Sequence, residues 1–296
     1  MKKRPFLMAL LVLGAIFLFF LLFVVVISSM MGRSTSLPIG EKIGVVEVKG
    51  VIAQSEPTID RLIELRRDSS IKAVVLRVDS PGGGVGPSQE IFTEVQKLAD
   101  EKPVVVSMGS VAASGGYYIS VPAQQIVANP GTITGSIGVI MEFTNFQDLM
   151  EKIGLKSQVV KSGDHKDIGS PVRPMTPEDR QILQSLIDDV HSQFVAAVAQ
   201  GRGMDLEKVK ALADGRIYTG RQAKDAGLVD RLGNMQDAID VAADLAGIQG
   251  EPKVVYPPGP KPKFLEYFVE ETVSQLRRGL NQQSSGGMQF LWAGID

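Results

Sequence analysis

The residues best able to do chemistry lie in the stretch Pro103 to Ser120, PVVVSMGSVAASGGYYIS. Val104 to Val106 is an apolar, β-branched run of the kind that forms a buried strand. Small residues follow, then Ser114, Gly115 and Gly116. A serine where a strand turns into a helix, with no bulky neighbour, can present its hydroxyl to a substrate. The Gly115 and Gly116 amides at the helix start have no intrahelical acceptor and are free to face an oxyanion. A plain helix cap is the competing reading, since serine is favoured there. Gly82-Gly83-Gly84 adds a second candidate set of donors, because glycine amides approach a ligand without a Cβ in the way. With the Gly115 amide this loop makes a two-donor hole, or else it is a tight turn.

A serine hydroxyl is too weak an acid to attack unaided and needs a base. Two histidines exist, His165 and His191, and neither lies in a metal-ligand pattern. A lysine serves when burial drives its pKa down from about 10.4. Lys166 stands in a turn-rich run, SGDHKDIGSP, and His165 beside it competes for the same role. Both remain open on the residues alone.

Other chemistries find less support. GGGVGPSQ and GTITGSIG both lack the Gly-Lys-Ser/Thr of a phosphate loop. The net charge of −2 offers no basic field for nucleic acid, and the absence of cysteine removes disulfides, thiolates and cysteine-held metals. No metal and no cofactor are expected.

The elements that must position these residues alternate. Ile43 to Lys49 and Lys72 to Asp79 read as strands, with Thr58 to Arg67 and Pro87 to Glu101 as helices between and after them. Short strands are expected at Gln125 to Ala128, Ile137 to Met141 and Ser157 to Lys161, and a helix over Asn145 to Ile153. Thr176-Pro177-Glu178-Asp179 opens a helix running to about Arg202. Helices over Asp205 to Ala213, Thr219 to Ala226 and Asn234 to Ala246 follow, then a strand at Lys253 to Tyr256. The pattern predicts an α/β fold, a parallel or mixed sheet covered by helices.

Ahead of this domain, residues 1–5 form a basic tip and residues 6–31 are 26 positions without a charge. That is too long for a secretory core and enough to span a bilayer, so an uncleaved transmembrane helix is expected. The Lys2-Lys3-Arg4 cluster places the N-terminus in the cytoplasm and the catalytic domain outside it, at the cell membrane. Residues 32–42 are a linker, 43–257 the main domain, and 258–296 an amphipathic helix (Phe264 to Leu280) with a loose tail containing Phe290-Leu291-Trp292.

Taken in order, the apolar anchor, SPGGGV, AASGGYY, TGSIGV and KSGDHKDIGSP resemble the short form of the signal peptide peptidase A family, over roughly residues 40–250. These are membrane-anchored serine proteases of the ClpP/crotonase-like superfamily. The resemblance implies repeated ββα units, Ser114 as nucleophile and Lys166, 52 positions later, as general base. It also implies Ser136 as the hydroxyl that orients the lysine, and Gly83 and Gly115 as oxyanion-hole amides. Further implications are degradation of remnant signal peptides released from preproteins, and a homo-oligomer, octameric in short forms, whose sites combine residues of adjacent subunits. The family's C-terminus can be trimmed by its own site, which the tail would suit. An acyl-thioester hydratase or isomerase of the same fold and a non-catalytic membrane scaffold are the alternatives.

Overall fold

The computed structural model describes residues 13–14, 16–20, 22–23, 41–257 and 289–291. They fall in two units, Met1–Gly40 and Glu41–Asp296. In the first, the described residues between 13 and 23 are helical. Most of the expected span at 6–31 lies outside the described residues, as does the expected helix at Phe264 to Leu280. Among the described residues no helix is long and apolar enough to cross a membrane.

The second unit is a mixed α/β domain. It opens with β1 (Lys42–Lys49), α1 (Glu56–Arg67), β2 (Ile71–Ser80), β3 (Gly82–Gly84), α2 (Val85–Glu101) and β4 (Val104–Ala113). Next come α3 (Gly115–Tyr118), β5 (Gln125–Ala128), β6 (Ile133–Gly135), α4 (Gln147–Lys152) and α5 (Pro177–Arg202). The remainder is α6 (Leu206–Leu212), β7 (Ile217–Thr219), α7 (Gly220–Ala226), β8 (Arg231–Leu232), α8 (Met235–Ala246), β9 (Lys253–Val255) and β10 (Gln289–Leu291). The main sheet runs β7-β6-β4-β2-β1-β9, with β5 also on β4 and β8 on β5. All its ladders are parallel except β6 with β7.

Helices cover both faces, so the central strands are apolar on both. Val45, Val75 and Val105 pack with Ala238, Ile239 and Ala242 of α8, while Val46, Leu76 and Val106 join the larger cluster containing Leu62, Ile91 and Phe194. Successive side chains point to opposite faces of a strand, which is why neighbours in sequence divide between the two clusters.

The strand that leads to Ser114 is bent. Val78 pairs with Met108 and Ser80 with Ala112, so three residues of β4 stand opposite Asp79 alone. This bulge is held by Asp79 Oδ1, which accepts from the Val111 amide at 3.0 Å. Gly109 is required there, because a Cβ would come within 2.7 Å of the Asp79 carboxyl carbon. A bulge turns the strand and re-aims the side chains beyond it. Before this one β4 pairs with β5; past it, Val111–Ala113 pair with β6.

Two expected strands are corrected. The strand near Ile137 to Met141 is instead Ile133–Gly135, and the chain leaves the sheet at Ser136, with Ile140 45% exposed. Ser157 to Lys161 is not a strand; it pairs with no strand among the described residues, and strand preference is realised only through pairing. The tail at Gln289–Leu291 is not loose: it forms β10, antiparallel to β3, with Phe290 opposite Gly83.

Candidate active site

Ser114 lies between β4 and the single turn α3, with φ 52° and ψ −116°. A left-handed φ on a non-glycine residue costs on the order of 1–3 kcal/mol and persists only where its surroundings fix it. Here the Ser114 amide donates to Gly135 O at 2.8 Å and its carbonyl accepts from the Tyr118 amide at 2.8 Å. The Ser114 side chain makes no helix-capping hydrogen bond. The plain cap reading therefore loses its physical basis.

Aromatic packing holds α3 in place. Tyr118 meets Phe194 of α5 edge-on, at 4.9 Å and 82°, and Phe92 of α2 at 4.7 Å. Tyr117 is wholly buried and donates its hydroxyl to Leu228 O at 2.9 Å. Burial pushes that phenol well above its ordinary pKa, so it stays neutral.

The glycine loop lies against Ser114. A Cβ on Gly115 would stand 3.2 Å from both Gly82 Cα and Gly83 N, and 2.6 Å from Ser88 Oγ. Gly83 is pressed onto the other side of its loop, where a Cβ would fall 2.2 Å from Ile52 O. Only glycines allow this approach of backbone to backbone, and it brings the Gly82–Gly84 segment against the turn that carries Ser114. Ser136 joins them through the sheet: Gly135 pairs with Ala113, and Ser136, at φ 50° and 6% exposed, donates its amide to Arg216 O at 2.8 Å.

Lys166 is placed differently. It sits on an exposed loop, its amide bonded to Gly163 O at 3.1 Å, and among the described residues its ammonium has no partner. The structure thus gathers Ser114, Gly83, Gly115 and Ser136, and leaves Lys166 in water on the single chain. His165, its competitor, lies 3.8 Å from Asp179 through Nδ1. His191 is spent elsewhere, its Nε2 being 2.7 Å from Ala213 O.

The Asp79–Gly109 bulge escaped the sequence reading, although an aspartate opposite a glycine in adjacent strands is the signal that could have found it. So did Ser88, a fully buried serine whose hydroxyl has no hydrogen-bond partner among the described residues.

A model of peptidase family S49 matches residues 96–249. A Synechocystis protein named as a candidate protease is 48% identical over 209 residues, 70% of this chain and 76% of that one. An Enterococcus faecium protein named as a candidate signal peptide peptidase SppA is 40% identical over 214 residues, 68% of this chain and 62% of its own. Among solved structures, a mutant ClpP1 from Listeria monocytogenes aligns with a TM-score of 0.46 and 19% identity, over 66% of this chain and 94% of that one.

Proposed function

This chain belongs to peptidase family S49 and is a serine-type protease, and from that premise we propose that it degrades released signal peptides through a Ser114–Lys166 dyad. One observation carries the reading: a buried serine held in a left-handed turn, uncommitted to capping, with Gly115 beside it packed against Gly82 and Gly83.

In this scheme Lys166, as the free amine, takes the hydroxyl proton while Ser114 Oγ bonds to the scissile carbonyl carbon. The Gly83 and Gly115 amides donate to the oxygen that gains charge. The proton passes to the leaving nitrogen as the C–N bond breaks. Water then attacks the acyl ester and Ser114 recovers its proton. Ser136 donates to or accepts from the lysine to fix its direction.

An ammonium in water is a poor base, and desolvation must lower its pKa. Assembly into a homo-oligomer supplies this if Lys166 of one subunit enters the site of the next. The surface around the loop supports that arrangement: Phe146, Leu149, Ile153, Leu155 and Val160 are all at least 47% exposed on the single chain. Apolar exposure gathered along one segment in this way is what an interaction surface requires. The β3–β10 pairing supports an extended peptide as ligand, since Gly82–Gly84 already accepts a strand. An apolar segment at 6–31, serving as a membrane anchor with the protease outside the cytoplasm, would place the site beside apolar peptides. Repeated ββα units of the ClpP/crotonase type remain part of the same proposal.

The test is peptide cleavage by the full chain and its variants. Ser114→Ala and Lys166→Ala are each expected to be inactive, and subunits of the two, dissociated and mixed, to recover activity. Cleavage by either single variant would remove that residue from the mechanism; mixtures that stay inactive would place the dyad within one chain.

A further inference from the structure

Lys166 stands on a loop closed by ionic bonds. Lys161 Nζ donates to Asp164 O at 2.7 Å and to Asp167 Oδ1 at 2.8 Å. Arg173 returns to the same carboxylate, with Nε to Oδ2 and Nη2 to Oδ1, both at 2.9 Å. Its Nη2 also reaches Asp167 O at 3.1 Å, and Nη1 reaches Pro174 O at 2.9 Å and the Asp179 carboxylate. A guanidinium carries five N–H donors, and these five bonds use all of them.

Asp179 in turn is 2% exposed and closes the capping box of α5 with Thr176. The chain from Lys161 to Arg173 is thereby tied to a 26-residue helix. The loop is also seated on the preceding segment. Gly169, at φ 77°, lies where a Cβ would come 2.5 Å from the Phe143 ring, and Asn145 Nδ2 donates to Arg173 O at 2.9 Å.

We infer that Arg173 is the positioning residue for the lysine base, fixing its loop by bridging Asp167, next to Lys166, to Asp179 at the start of α5. The inference rests on the Ser114–Lys166 reading and deepens it. An isolated exposed ion pair would contribute little. A fork shared between two carboxylates and two carbonyls instead fixes direction as well as distance. Lysine in its place keeps the charge and loses the fork.

The same bridge sets the charge around the base. The charged and titratable groups on the loop and on the elements beside it are Glu142, Asp148, Glu151, Lys152, Lys156, Lys161, Asp164, His165, Asp167, Arg173, Glu178, Asp179 and Arg180. Asp167, adjacent in sequence, is neutralised by Lys161 and Arg173. Removing Arg173 leaves its negative charge less compensated and favours the Lys166 ammonium. The acid limb of the rate profile then moves to higher pH. Asp167→Asn removes that charge and moves the limb to lower pH.

The experiment compares kcat, KM and pH profile for the full chain with Lys166→Ala, Arg173→Gln, Arg173→Lys and Asp167→Asn, alongside hydrogen exchange of the loop amides. Arg173→Gln is expected to lower kcat about 10- to 100-fold with KM near wild type. Its acid limb rises, exchange at Lys166, Ile168 and Ser170 quickens, and protection within α5 is kept. Arg173→Lys recovers part of the rate. A wild-type kcat and an unmoved acid limb in Arg173→Gln, with Lys166→Ala inactive, would overturn the inference and leave the dyad standing. Activity in Lys166→Ala would overturn the dyad and this assignment with it. Should Arg173→Gln fail to fold, Asp167→Asn decides: a limb that does not fall overturns the inference.

Discussion

The amide of Ser114 donates to the carbonyl of Gly135 across 2.8 Å, and this bond ties the reactive turn to the strand that carries Ser136. It joins a serine at φ 52°, an unusual state for a residue with a side chain, to a glycine at φ 78°, which is ordinary for glycine. Strain at Ser114 is therefore stored in the fold and released by the right substitution.

Ser114→Gly is the substitution that releases it. Relief of strain on the order of 1–3 kcal/mol outweighs the roughly 0.5–1 kcal/mol of added chain entropy in the unfolded state. A net stabilisation of about 1 kcal/mol with complete loss of peptidase activity is expected from denaturant melts and assays. A clear loss of stability would mean that Ser114 is not strained. Ser114→Ala, which keeps the strain, is expected to melt within about 0.5 kcal/mol of wild type.

Gly115→Ala tests the two-amide hole. The added methyl would overlap Ser88 Oγ and crowd Gly82 and Gly83, so the amides must part. Loss of an oxyanion donor typically lowers kcat about 100- to 1,000-fold. A fall of that size at unchanged far-UV circular dichroism is expected. A variant with near wild-type kcat would remove Gly115 from the hole.

The β3–β10 ladder makes a prediction of its own. If substrate lies along Gly82–Gly84, Gln289–Leu291 competes with it. A chain ending at residue 257 is then expected to show a lower KM for extended peptides at similar kcat. An unchanged KM would mean that substrate binds elsewhere.

Acid acts through Asp179. The Arg173 guanidinium holds the Asp179 carboxyl down at about 2 and keeps Asp167 well below the usual carboxylate range. An unfolded aspartate titrates near 3.9. Protons thus bind the unfolded chain first, and the contribution of these groups is full above about pH 4 and lost as pH falls through about 2. Asp214, held at about 2 by Arg216, adds to the same window. Thermal midpoints are expected to fall steeply between pH 4 and 2, and less steeply in Asp179→Asn; equal slopes would discount the bridge.

Local features were legible in the sequence, and features joining distant segments were not. The strand, serine and glycines at Pro103 to Ser120 announced a strand-to-helix turn, and Thr176 to Asp179 announced a helix start. Gly83 could be suspected because it closes a strand, but its approach to Gly115 depends on a bulge made by Asp79 and Gly109. The strands expected at Ile137 to Met141 and Ser157 to Lys161 have the right composition, but among the described residues neither joins a ladder of the main sheet. Lys166 was picked out by its loop, whereas the Arg173 fork that fixes the loop spans residues whose proximity no periodicity encodes.

The most direct measurement is mass spectrometry after treating the full chain with a serine-reactive fluorophosphonate or β-lactone. The account predicts a single adduct on the peptide containing Ser114, absent from Ser114→Ala, slowed in Lys166→Ala, and forming faster as pH rises toward the alkaline side. Peptide cleavage with no adduct at Ser114, or an adduct whose rate ignores both Lys166 and pH, would contradict it.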